Sequence, residues 1–156
     1  MLGSRAERCS TEDRMGTIAP RILIIDDDED FKASISEVLR SQGYDVRGAA
    51  SAHEGLDRIA ADPPDLIILD VIMEYDSAGY EVNQAVKFRE EFLPERNIPI
   101  LMVSSIPTDP ATLYGRASEV QMITPDAYMT KPLDIPAFLD RVRTLLASRF
   151  DGAGRR

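Results

Sequence analysis

Asp65-Leu66-Ile67-Ile68-Leu69-Asp70 is the stretch that decides the fold. Four apolar residues stand in a row, half of them β-branched, and an aspartate closes the run. Such a run suits a strand buried on both faces of a parallel sheet, where no alternate residue meets water. Ile22-Leu23-Ile24-Ile25 and Ile100-Leu101-Met102-Val103 have the same character. Tyr44-Asp45-Val46-Arg47 alternates apolar and polar, as an edge strand does. Ala127-Tyr128-Met129 reads as a short fifth strand.

Helical patterns fill the gaps. Phe31, Ile35, Val38 and Leu39 form one apolar stripe, with Gly43 just past its end. Leu56, Ile59 and Ala60 form a second. Val82, Ala85, Val86 and Arg89 continue a helix that begins near Gly79. Ile135, Phe138, Leu139, Val142, Leu145 and Leu146 form the clearest stripe. Asp109-Pro110 looks like a cap followed by proline at the first helical position, although Gly115 weakens the helix beyond it. Strand–helix alternation of this kind implies a three-layer α/β fold around a parallel sheet.

The chain has 156 residues, enough for one core, and its 44% hydrophobic and 29% charged residues place it among soluble globular proteins. The net charge of -9 disfavours a nucleic-acid backbone as partner. No apolar run approaches the roughly 18 residues of a membrane span. The first twenty residues lack the apolar stretch of a secretory signal, and Cys9 is the only cysteine, so a reducing, cytoplasmic setting is the expectation. Residues 1–20 read as a flexible extension, within which Met15 is a plausible natural start. Residues 21–149 read as the folded domain, and residues 150–156 as a tail too short for a second one.

In open parallel α/β sheets, ligands bind beyond the carboxyl ends of the strands. Asp26 and Asp27 follow the first apolar run, Asp70 the second, Ser104 the third, and Lys131-Pro132 the short fifth strand. Singly, each has an ordinary reading: an aspartate after a strand is often a turn or cap residue, as Asp28 is expected to be. Together they gather three carboxylates on one rim, where two like charges ~4 Å apart repel by about 4 kcal/mol at an effective dielectric of 20. Hard oxygen ligands in a partly hydrated site point to Mg²⁺. Metal, ammonium and hydroxyl together suit phosphoryl transfer, with a carboxylate nucleophile forming an aspartyl phosphate.

The segments ILIIDDDEDF, DLIILDVIM, GYEV, IPILMVSS and AYMTKPL, in that order, resemble the receiver domain of two-component response regulators. The resemblance spans almost the whole folded unit. It implies a flavodoxin-like five-stranded sheet of order 2-1-3-4-5, with Asp70 as phosphoacceptor. Asp26, Asp27 and Asp70 would hold Mg²⁺ with the Ile72 backbone carbonyl. Ser104 and Tyr128 match the switch residues, Lys131 the lysine of the pattern, and the Lys131-Pro132 bond is cis in that family. A sensor histidine kinase or histidine phosphotransfer protein is the implied donor. Output would be a contact with a downstream protein, with neither nucleic acid nor membrane involved, and a homodimer is one assembly the resemblance allows. The domain would not be an enzyme beyond promoting its own phosphorylation and dephosphorylation.

Departures from the family pattern are Glu74 where proline is usual, a loop from Asp70 to Gly79 longer by one residue, a longer stretch from Ser104 to Tyr128, and Ser105 in place of alanine. The resemblance also implies that Ile72 and Ile106, both apolar, flank the path of hydrolytic water, so a long-lived phosphoaspartate is the expectation. His53 reads as a solvated histidine and Lys87-Phe88-Arg89-Glu90-Glu91 as a wet helix face. Two alternatives stand beside the receiver reading. One is a haloacid-dehalogenase-type phosphatase with Asp26 as nucleophile. The other is a receiver-like module that signals without phosphorylation. A dinucleotide-binding domain is disfavoured because no G-x-G-x-x-G follows the first strand.

Overall fold

The apolar runs pair side by side into one parallel sheet. The computed structural model describes residues 19–70, 78–89, 97–105 and 126–154. Within them lie strands β1 (Arg21–Ile25), β2 (Asp45–Ala49), β3 (Leu66–Asp70), β4 (Ile100–Ser104) and β5 (Ala127–Thr130). Helices α1 (Glu29–Ser41), α2 (Ala52–Ala61), α3 (Ala78–Phe88) and α4 (Ile135–Gly154) accompany them. The strand order is β2-β1-β3-β4-β5, as the resemblance implied. It places β1 beside β3 where the winding reverses, which is where such sheets open a crevice.

Side chains alternate across each strand and so build two cores. Leu23, Ile25, Ile67, Leu69, Ile100 and Met102 pack with Ile59 of α2 and with Val82, Ala85 and Val86 of α3. Ile22, Ile24, Leu66, Ile68, Leu101 and Val103 pack on the other face with Ile35 and Leu39 of α1 and with Phe138, Val142, Leu145 and Leu146 of α4. β3 and β4 are buried at every position, which is why their sequences carry no alternation. Each fully buried Ile, Leu or Phe contributes about 1.5–3 kcal/mol, so the strand ends that carry the site sit on a rigid base.

Local chemistry sets the helix ends. The Asp28 carboxylate caps α1, accepting hydrogen bonds from the Asp30 and Phe31 N–H groups, as expected. Ser51 caps α2 by accepting from the Glu54 N–H, and the Glu54 carboxylate reaches back to accept from the Ala50 N–H. Gly43 ends the turn after α1 at φ 92°, a left-handed conformation that favours glycine.

Several expectations are corrected. Ala60 is exposed, and Gly55 and Ala52 take the buried positions of α2 instead. Gly55 lies so close to β1 that a Cβ there would meet Ile25 Cδ1 at 2.4 Å. The close approach, not hydrophobicity, selects that residue. Arg89 is exposed and lies beyond the end of α3. Lys87 is not part of a wet face: its ammonium donates to the Ile98 carbonyl and pairs with Asp126, both at 2.9 Å. β2 begins one residue after Tyr44, and α4 runs on to Gly154, into the stretch expected to be a tail. The expectations on residues 1–18, on Ile72 and Glu74, on the helix after Asp109-Pro110 and on Ile106 lie outside the described residues.

Candidate functional site

Parallel register brings the rim together. Ile25 is level with Leu69, so Asp26 and Asp70 leave adjacent strands at the same height. Asp70 in turn is level with Val103, the residue before Ser104. Ser104 pairs with Thr130, the residue before Lys131, and its carbonyl accepts the Lys131 N–H at 2.7 Å. Among the described residues, the carboxylate oxygens of Asp26, Asp27 and Asp70 lie within 4.8 Å of one another.

Burial separates the three. Asp26 is 1% exposed and Asp70 8%, whereas Asp27 is exposed. A buried carboxylate must be hydrogen-bonded or paired. Asp26 is both: Oδ1 accepts the Asp28 N–H at 2.8 Å and Oδ2 pairs with Lys131 Nζ at 2.9 Å. Lys131 reaches this partner from beyond β5, across the ends of β4 and β3. The Lys131-Pro132 peptide is cis, as the resemblance implied. Lys32 ties down the same loop, donating to the Asp26 carbonyl at 3.1 Å and to Glu29 at 2.7 Å. Ser104 is buried at the end of β4, and Tyr128 is half-buried against the core that contains Met102.

The donor set fits a hard divalent cation. Among the described residues, Lys131 is the ammonium paired with a carboxylate of the three, which leaves an excess of negative charge, and Asp27 is exposed to water. Of the expected ligands, Ile72 lies outside the described residues.

Two further residues bear on the site. Phe31, read from the sequence only as part of an apolar stripe, sets its ring 4.0 Å from Lys131 Nζ. Periodicity cannot reveal a contact with a residue one hundred positions away. Glu54, in the first turn of α2, has its carboxyl held below the usual range, first by the Ala50 N–H and then by Arg58. His53 is solvated, with Asp57 at 3.3 Å, in line with its sequence reading.

The doubly wound parallel sheet thus carries an acidic rim, a buried serine and a lysine ammonium at the carboxyl ends of its strands. Residues 22–143 match the response regulator receiver domain. The chain belongs to that family. It is 35% identical over 127 residues to the DNA-binding dual master transcriptional regulator RpaA of Synechocystis sp., covering 81% of this chain and 49% of that protein. It is 32% identical over 136 residues to the response regulator MprA of Mycolicibacterium vanbaalenii, covering 86% of this chain and 54% of that protein. The chain thus spans about half the length of these curated relatives. Among solved structures, a CheY-like receiver domain protein from Methanospirillum hungatei superposes with a TM-score of 0.71 at 25% identity, over 86% of this chain and 99% of that one. Chemotaxis protein CheY4 of Vibrio cholerae gives 0.68 at 25% identity, over 82% and 99%.

Proposed function

We propose that Asp70 accepts a phosphoryl group from a phosphohistidine of a sensor histidine kinase or histidine phosphotransfer protein. The observation that carries this reading is the convergence of Asp26, Asp27 and Asp70 within 4.8 Å, with Lys131 already bound to Asp26. An Asp70 carboxylate oxygen attacks phosphorus, the P–O bond forms, and the P–N bond to imidazole breaks. The imidazole nitrogen leaves with the electron pair and takes up a proton. Asp26, Asp27 and Asp70 would hold Mg²⁺, which supplies neutralising charge for the phosphoryl oxygens. Lys131 turns its ammonium toward those oxygens, and the Ser104 hydroxyl donates a hydrogen bond to one of them.

The phosphatase alternative is less well supported. It needs Asp26 as nucleophile, yet Asp26 is 1% exposed and both its oxygens already accept hydrogen bonds. Output is a contact with a downstream protein in the cytoplasm. The DNA binding in the name of RpaA is said of that protein, of which the match covers 49%, and the -9 net charge of this chain opposes a phosphate backbone.

The test is incubation with acetyl phosphate and Mg²⁺, with any hydroxylamine-labile phosphoryl group located by residue. Label on Asp70 that disappears in Asp70→Asn is expected. Equal labelling of the Asn variant, or none of the parent, sinks the assignment, and the second result favours the phosphorylation-independent module.

A further inference from the structure

The geometry points to Phe31 as the residue that positions Lys131 for phosphoryl uptake. It rests on Asp70 being the phosphoacceptor and adds a residue to that machinery. Lys131 Nζ has two neighbours of note, the Asp26 carboxylate at 2.9 Å and the Phe31 ring at 4.0 Å from its centroid. The Lys131 side chain is 18% exposed, so the ammonium has given up much of its water for these two contacts. A cation over an aromatic face gains about 0.5–1 kcal/mol when exposed and about 2 when desolvated.

Phe31 is itself held in place. Its N–H bonds the capping carboxylate of Asp28 at 3.1 Å, and the Asp28 N–H bonds Asp26 Oδ1 at 2.8 Å. Its ring packs against the core of Ile22, Ile24 and Ile35. The contacts therefore close on themselves, from Asp26 through Asp28 and Phe31 to Lys131 and back to Asp26. The ring is set by the same cap that sets the acidic pair.

The two contacts of Lys131 differ in what they permit. A hydrogen bond to Asp26 is directional and must be broken, or shared, when the ammonium turns to a phosphoryl oxygen. The attraction to a ring face is spread over the π-system and survives a lateral shift of the ammonium. Phe31 thus holds the cation at the rim while its hydrogen bond is exchanged. An aliphatic side chain of similar size fills the space but offers no such support.

The experiment uses the full chain with Phe31→Leu, Phe31→Tyr, and Phe31 replaced by phenylalanines carrying one, two, three and five ring fluorines. Fluorination keeps the ring's shape while draining its negative face, so a packing role does not respond to it. Labelling by acetyl phosphate in Mg²⁺ is expected to slow three- to fivefold in Phe31→Leu, equivalent to about 0.6–1 kcal/mol of barrier. It should decline stepwise with fluorine count and stay within twofold in Phe31→Tyr. Before any phosphate is added, the Lys131 ε-methylene protons should be shifted upfield by the ring in the parent and the Tyr variant and return to ordinary positions in Phe31→Leu. A parent that takes label, with Leu and fluorinated variants that match or exceed its rate, overturns the positioning role alone. A parent that takes no label overturns the phosphoacceptor reading and this role with it.

Discussion

Replacing Asn83 by leucine should make the protein more stable. Asn83 lies on α3 between Val82 and the buried pair Ala85 and Val86, and it is 0% exposed. Among the described residues, neither its amide nitrogen nor its carbonyl oxygen has a hydrogen-bond partner. An unsatisfied buried polar group costs about 1–3 kcal/mol, and asparagine is a poorer helix former than leucine by a few tenths. Leucine has the same branching, so its two methyls take the places of the amide oxygen and nitrogen, though they need more room than the planar amide. Overpacking costs about 1–3 kcal/mol where nothing can shift, a range as wide as the gain, so the prediction holds with that cost at its lower end. The expected net is about 1–2 kcal/mol of added stability, or a rise in Tm of about 2–8 °C for a domain of this size. Urea unfolding at matched m-values and calorimetry read it out. A variant no more stable than the parent refutes the reasoning.

Four other outcomes are expected. Mg²⁺ should raise the Tm of the parent, by the equivalent of about 1.4 kcal/mol at ten times Kd, and Asp27→Ala should remove most of that rise. Lys131→Met leaves the buried Asp26 without its cation, and should lose about 3 kcal/mol in chelator and less in Mg²⁺, read as paired melting curves. Gly55→Ala should lose up to about 2 kcal/mol in urea unfolding, because overpacking against Ile25 exceeds the gain of about 1 kcal/mol in helix propensity; Ile25→Val in the same chain should recover part of the loss. The depressed carboxyl of Glu54 contributes stability that is present above its unfolded pKa of about 4.3 and is lost as pH falls through the lower folded value. Glu54→Gln should therefore be less stable than the parent near neutrality and equal to it in strong acid, as followed by pH-dependent unfolding.

β1, β3 and β4 were legible because burial on both faces leaves an uninterrupted apolar run, and Asp26, Asp70 and Ser104 were legible because each directly follows such a run. Asp27 and Lys131 could be placed beside them because one follows Asp26 and the other follows the short, half-buried fifth strand. Helix faces were less legible. Ala60 fits an apolar stripe by type yet faces water, while Gly55 is buried for having no side chain, and a hydrophobicity pattern cannot see that. Lys87 reads as surface charge, but its long stem carries the ammonium to the Ile98 carbonyl and Asp126. Phe31 and Asn83 escaped notice because their significance lies in what is, or is not, opposite them in space.

The bond between Asp26 and Lys131 joins residues 105 positions apart, the first strand's end to the last strand's. Closing a loop of that length costs about 4 kcal/mol in chain entropy, so the contact forms only once the intervening strands have docked. A chain emerging amino-terminus first acquires its three aspartates well before the lysine that answers them. On the proposed reading, competence to accept a phosphoryl group therefore arrives only with the final strand, and a half-made or clipped copy of this domain would be silent.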